Sequence, residues 1–258
     1  MYKFGLKLWS INDCYIGEVV RLFEVGVYDY IELFIVPGSF DKYNEIWKGL
    51  KIPFIIHAPH SRAGMNLAKS ECRDKNKELF FETQKFADAI DAKKIIVHAG
   101  TAGDVRETVR QLKLFYDERL LIENKPYHSL DNGLLCNGTT PEEIRFIMQE
   151  VKVGFCLDIS HAIYSANAYK VSFQEFLKDF SGLKPHMYHL ADGDTSSVFD
   201  QHYHIDAGNF DFGSILSFLP RDGMITIETL KDSNENLIDF VKDAEILRNY
   251  EICLRAKV

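Results

Sequence analysis

One stretch limits this chain more than any other: Gly154-Phe155-Cys156-Leu157-Asp158-Ile159-Ser160-His161, a short apolar run that stops abruptly at a carboxylate and an imidazole. Apolar strands bounded by helical segments belong to parallel sheets covered on both faces, and their carboxyl ends open onto the loops where sites are built. Asp158 then stands at that rim, and His161, three residues on, reaches the same cavity from the following loop.

The rest of the chain repeats the pattern. Lys3 to Leu8 reads as a first strand, followed by a helical period through Ile16, Val19, Leu22 and Phe23 that stops near Gly26. Tyr30 to Ile35 is a second strand, broken by Pro37-Gly38, and a short helix runs from about Asp41 to Leu50. Later runs end in turn at His57, His98, Glu123, Asp158, His189 and Glu228, with helical periods over about 72–90, 105–115, 173–180 and 235–248. Eight strand-plus-helix units predict an α/β fold, a single (β/α)8 TIM barrel over residues 1–258, with a metal site at the carboxyl face of its strands. A doubly wound open sheet is the rival, but it usually carries a Gly-rich phosphate loop and none is present.

Length and composition agree. At 258 residues and 46% hydrophobic content the chain suits one barrel of about 250 residues, and no Gly/Ser- or Pro-rich linker divides it. The opening residues lack a secretory signal, and no apolar run approaches the roughly 18 residues of a membrane span, so a soluble, cytoplasmic monomer is expected. Five scattered cysteines without a Cys-x-x-Cys pair argue against a disulfide framework or a thiolate zinc site. A formal charge of −8 gives no global attraction for nucleic acid, which would need a local basic rim or bound cations.

Three imidazoles and three carboxylates crowded at one barrel mouth repel and desolvate one another unless cations are present, so a metal cluster is the economical explanation. Nitrogen and oxygen donors without thiolate suit zinc, manganese or iron. More than four ligands implies more than one ion, with Glu123 available to bridge. Asp200 and His202, two residues apart, make with His161 a further Asp/His/His set with a position left open for water or substrate. A single His at a strand end is more often a hydrogen-bonded rim residue, and a single Asp there an N-cap. That bland reading must hold independently six times. His60, His128, His186 and His204 are taken as structural, with His60 and His204 the foremost exceptions. Phe80-Phe81 and Phe210-Asp211-Phe212 are expected to pack helix on barrel, and Arg62, Lys69, Arg73 and Lys125 sit on rim loops where they can meet phosphate.

These residues resemble the xylose isomerase-like barrel superfamily and, within it, the endonuclease IV type of apurinic/apyrimidinic endonuclease. The likeness runs through His57-Ala58-Pro59, Val97-His98-Ala99-Gly100, Leu121-Ile122-Glu123-Asn124, Cys156-Leu157-Asp158 to His161, His189-Leu190, Asp200-Gln201-His202 and Ile227-Glu228. It implies one zinc on His57, His98 and Glu123, a second on Glu123, Asp158, His189 and Glu228, and a third on His161, Asp200 and His202. Two to three zinc ions are thus implied, with manganese a possible substitute. The implied chemistry is phosphodiester hydrolysis at abasic DNA by metal-activated hydroxide, with Glu123, Asp158 and Glu228 central to catalysis. The chain departs from that pattern where His60 replaces a Tyr, Gln201 an Arg, and Asp206-Ala207-Gly208 a Gly-Glu-Gly-like turn. The loop after the second strand also lacks a cation. Two alternatives stay open: a divalent-metal sugar isomerase or epimerase built on the Glu123/Asp158/His189/Glu228 quartet, and a metallohydrolase of small phosphoesters.

Overall fold

The computed structural model describes residues 1–130 and 133–256. The apolar runs form β1 (Lys3–Trp9), β2 (Tyr30–Phe34), β3 (Phe54–His57), β4 (Ile95–His98), β5 (Leu120–Glu123), β6 (Gly154–Asp158), β7 (Met187–Leu190) and β8 (Met224–Ile227). Every strand pairs in parallel with its sequence neighbour and β8 pairs with β1, closing the sheet. The fold is the expected (β/α)8 TIM barrel. Among the described residues no helix is long and apolar enough to cross a membrane.

The helices are α1 (Ile16–Glu24), α2 (Phe40–Lys48), α3 (Arg73–Ala89), α4 (Val105–Leu114), α5 (Pro141–Val151), α6 (Ile159–Tyr169), α7 (Phe173–Ser181), α8 (Phe212–Phe218) and α9 (Ile238–Arg255). The sequence pattern did not announce α5, α6 or α8. The start of α5 follows cap chemistry: Thr140 accepts from the Glu143 amide, Pro141 takes the first turn, and Glu143 turns back to the Gly138 and Thr139 amides. No loop precedes α6. Asp158 caps it directly, accepting from the His161 amide at 2.7 Å, so His161 lies in the first helical turn and not in a loop as expected. Its residues 159–166 are all buried, polar Ser160, His161 and Ser165 among them, so that run shows no amphipathic period.

Two cores flank the sheet. An outer one packs strand residues such as Leu6, Ile31, Ile56, Val97, Ile122 and Leu157 against Leu22, Trp47, Phe86, Leu112 and Leu247 of the helices. An inner one, Tyr30, Ile55, Ile96, Leu121, Cys156 and Met187, plugs the barrel. Because strand side chains alternate faces, the residue two places on rises from the same inner face one layer higher. The register therefore stacks His57, His98, Glu123, Asp158 and His189 over this plug, with Glu32 over Tyr30. Gly5 permits the arrangement: a Cβ there would overlap the Tyr30 ring, whose hydroxyl reaches Thr226 Oγ1 at 3.0 Å across the barrel floor. The expected packing role of Phe210 and Phe212 is seen, since both are buried. Phe80 is buried as well, while Phe81 faces solvent.

Candidate metal centre

Six strand ends bring their polar side chains to one point, and Glu123 is its hub. Glu123 Oε2 lies 3.1 Å from His57 Nε2 and 3.0 Å from His98 Nε2, and 3.5 Å from His189 Nδ1. Its Oε1 lies 3.2 Å from His161 Nδ1. His189 Nδ1 also faces Glu228 Oε1 at 3.2 Å and Asp158 Oδ2 at 4.0 Å. A third group adjoins: Asp200 Oδ2 stands 3.2 Å from both His161 Nε2 and His202 Nε2. All nine residues expected from the sequence thus come together, in subsets whose donor atoms fall within 4.8 Å of one another.

The hydrogen bonds behind the rings decide which nitrogens face inward. His57 Nδ1 donates to the Ala58 carbonyl at 2.7 Å, His161 Nδ1 to Asn124 at 2.9 Å and His202 Nδ1 to Glu228 at 2.8 Å. With those protons committed to the backbone, each neutral ring directs an Nε2 lone pair toward carboxylate oxygen. His189 is reversed, with Nε2 on Glu32 Oε2 at 2.9 Å, and among the described residues its buried Nδ1 has no hydrogen-bond partner; neither has Asp200 Oδ1. Lone pairs aimed at carboxylates are repulsive unless a cation or proton stands between them. The donor set therefore fits divalent metal, and a nitrogen-oxygen set without sulfur fits the zinc or manganese class.

In the metal-free chain protons take that role. Burial lowers the His161 imidazolium, but Asp158 and Asp200 together outweigh it and hold it at about 10; His202 reaches about 9 through Asp200 despite burial. Burial pushes Asp158 up, opposed by His161 and reinforced by Glu123 and Glu228, to about 6. His98 goes the other way, lowered by burial against the pull of Glu123.

Two residues of the site were not foreseen. Glu32 and Lys7 lie mid-strand on β2 and β1, paired across the sheet, and Lys7 Nζ bonds Glu32 and, at 2.6 Å, Glu228 Oε1. Burial opposes ionisation of Glu32, but His189 and Lys7 outweigh it and hold the carboxyl at about 2. The available signal was a charge inside an otherwise apolar strand, Tyr-Ile-Glu-Leu-Phe, on the inner parity. Glu32 fixes the His189 tautomer and raises its basicity. Glu32→Gln is accordingly expected to weaken metal retention roughly 10–100-fold, read by competition with a chelating dye. An unchanged affinity would make Glu32 merely a partner for Lys7.

The site opens into a cavity of about 530 Å3, within the range of small-molecule sites. Lys125, Arg62 and Lys231 border it, and Phe34, His60 and Trp9 form one wall. Phe34 packs on His60 at 5.1 Å and on Trp9 at 5.9 Å. Lys125 Nζ lies 3.4 Å from His161 Nε2. His60, one of the two foremost exceptions among the histidines taken as structural, lines the cavity. Lys69 and Arg73 are not among its lining residues. His186 meets the Phe155 amide at the opposite end of β6, and His128 packs beside Phe199.

The model of the xylose isomerase-like TIM barrel family matches residues 24–250. The chain belongs to the xylose isomerase-like TIM barrel family. A relative named probable endonuclease 4, from Aquifex aeolicus, is 27% identical over 233 residues, covering 80% of each chain. The barrel also superposes on a D-tagatose 3-epimerase-like protein with a TM-score of 0.73 at 22% identity, covering 99% of both chains. Endonuclease IV from Thermus thermophilus gives a TM-score of 0.69 at 19% identity, with 96% of this chain and 98% of that one covered. The proteins to which the chain is similar thus carry names of both nuclease and epimerase type.

Proposed function

We propose that the protein is a metal-dependent phosphodiesterase of the endonuclease IV type, using zinc, with the backbone of abasic DNA as its substrate. The observation that carries this reading is the donor surplus. Beyond the quartet Glu123, Asp158, His189 and Glu228, the pair His57/His98 converges on Glu123 Oε2, and His161, Asp200 and His202 form a third group. A one-ion isomerase has no need of the additional five side chains. The relative named probable endonuclease 4 supports the same choice.

When bound by these residues, zinc-class ions supply Lewis acidity toward a phosphoryl oxygen and lower the pKa of a water molecule toward neutrality. The chain's own groups do the rest. Glu123 joins the first two donor groups, and the backbone-tied histidines keep their donor nitrogens aimed inward. Lys125, Arg62 and Lys231 offer cations to phosphate at the rim, and the Phe34–His60–Trp9 wall gives an unstacked sugar or base an apolar surface. These local cations offset the acidic total where a phosphate enters.

One observation favours a second reading. His189 Nδ1 faces all three quartet carboxylates at 3.2–4.0 Å, a single-ion arrangement suited to a sugar isomerase or epimerase. Elemental analysis of protein purified without chelator, with parallel assays on an abasic duplex, a small phosphodiester and ketoses, separates the possibilities. We expect two to three zinc ions per chain, duplex incision, and at least about a 100-fold loss of incision after chelation. One ion with ketose turnover would replace the proposal by the isomerase, and several ions with only small phosphodiester cleavage would remove DNA as substrate.

A further inference from the structure

A second cluster of metal-donor side chains lies outside the central site, where the loop after β7 and the loop after β8 meet α9. His204 sits two residues beyond His202, Asp232 four beyond Glu228, and Asp239 and Asp243 on successive turns of α9. Asp243 is buried and fully engaged: it accepts from His204 Nδ1 at 2.9 Å, from the Ile205 amide at 2.9 Å and from Thr229 Oγ1 at 2.5 Å. With Nδ1–H committed there, His204 turns Nε2 toward Asp232 Oδ1 at 3.1 Å. Asp239 accepts the Asp232 amide on Oδ2 at 3.0 Å, while its Oδ1 is buried with no hydrogen-bond partner among the described residues. The Asp239 residue is only 8% exposed. His204, Asp232 and Asp239 each bring one donor atom to within 4.8 Å of the others, beside a cavity of about 420 Å3.

An acidic cluster alone would be unremarkable, but the orphaned oxygen is not. A buried carboxylate oxygen without a donor is costly in general unless a cation meets it. Lys231 lies near enough to feel the Asp239 charge but does not meet the orphaned oxygen: its Nζ donates to the Thr229 carbonyl at 2.9 Å, and among the described residues it makes no ion pair within 4 Å with these carboxylates. The backing of His204 by a carboxylate is the arrangement that orients metal-bound imidazoles. We propose that His204 Nε2, Asp232 and Asp239 form a separate divalent-cation site of the zinc class, completed by water, that clamps the two ligand-bearing loops onto α9. One nitrogen and two oxygens with open positions suit such an ion. Asp232, largely exposed, forms the entrance.

The probe is zinc alone. In zinc-soaked crystals of the wild-type chain, an anomalous peak at the zinc edge is expected among His204 Nε2, Asp232 and Asp239. After dialysis against micromolar zinc, the wild-type chain should hold one ion per chain more than an Asp232→Asn/Asp239→Asn double variant. Zinc should also raise its Tm by at least about 5 °C more. Absence of the peak, or equal zinc content in both proteins, overturns the proposal, and the cluster is then an imidazolium ion pair. If the variant fails to fold, the anomalous map of the wild type decides alone.

Discussion

Glu123→Gln is expected to strip metal from two neighbouring donor groups together and to lower hydrolytic turnover by roughly 10³-fold or more, a loss of about 4 kcal/mol in transition-state stabilisation. The reason is geometric. Oε2 is shared by His57, His98 and His189, and Oε1 faces His161, so the one carboxylate adjoins every group of the centre. Gln keeps the shape but replaces one charged acceptor oxygen by an amide that donates. It also removes the anionic oxygen shared by His57 and His98 at a buried position, and with it the counter-charge to any cation those rings would hold. His202→Ala should behave differently. Among the described ligand carboxylates His202 lies within 4 Å of Asp200 alone, so a single ion should be lost and the first two groups retained. Elemental analysis of both variants beside their turnover checks the partition. Equal metal loss in the two would mean that the centre assembles as one cooperative unit and that the division into groups is wrong.

The site was legible where chemistry coincided with a strand end. His57, His98, Glu123 and Asp158 close their strands, His189 is the next-to-last residue of β7, and Glu228 follows β8 by one residue, so a polar residue at or beside the end of an apolar run marked each. Lys7 and Glu32 escaped because they lie inside strands, where a charge reads as an exception to an apolar run. Only the closed barrel, with its inner parity, turns that exception into a second member of the same face. His161 was located in the right cavity for an incomplete reason: one turn of α6, capped by Asp158, presents it, and a uniformly buried helix gives no period to read.

Loop chemistry was less legible still. Gln201, standing where the resembled family has Arg, accepts the Asp194 amide at 2.8 Å and donates to the Tyr203 hydroxyl at 3.2 Å, so it braces its own loop. Gly208 is needed because a Cβ would collide with the Gly193 backbone and the Asp192 carboxylate, a long-range fit that spacing cannot reveal. In place of a cation after β2, Phe34 supplies an aromatic wall. The His204 cluster depended on α9 meeting two loops, and sequence alone offered only a histidine two residues from a ligand.

Chelation is expected to destabilise the fold strongly and in a pH-dependent way. Without metal, the centre is held by protons on His161 and His202, whose folded pKa values of about 10 and 9 exceed the unfolded value of roughly 6.5. Their contribution is complete below about pH 6.5 and disappears as pH rises through 9 to 10. Asp158, raised to about 6, works in the same sense: its protonated form stabilises below about pH 3.8, and that help is lost as pH passes 6. A metal ion must displace the imidazolium protons, so affinity should rise with pH across 6.5 to 9 and the gap between loaded and chelated protein should widen. One ion at about 1,000 times its Kd adds about 4 kcal/mol, or roughly 8–16 °C in Tm for a chain of this size. Scanning calorimetry at pH 6.0 and 8.5, with and without chelator, gives the gap directly. Calorimetric zinc titration at pH 7.5 in buffers of different ionisation enthalpy should reveal at least about one proton released per chain. Coincident melting curves with no proton release would show that the histidines are a structural ion-pair network, and the metal chemistry proposed for the centre would fall with them.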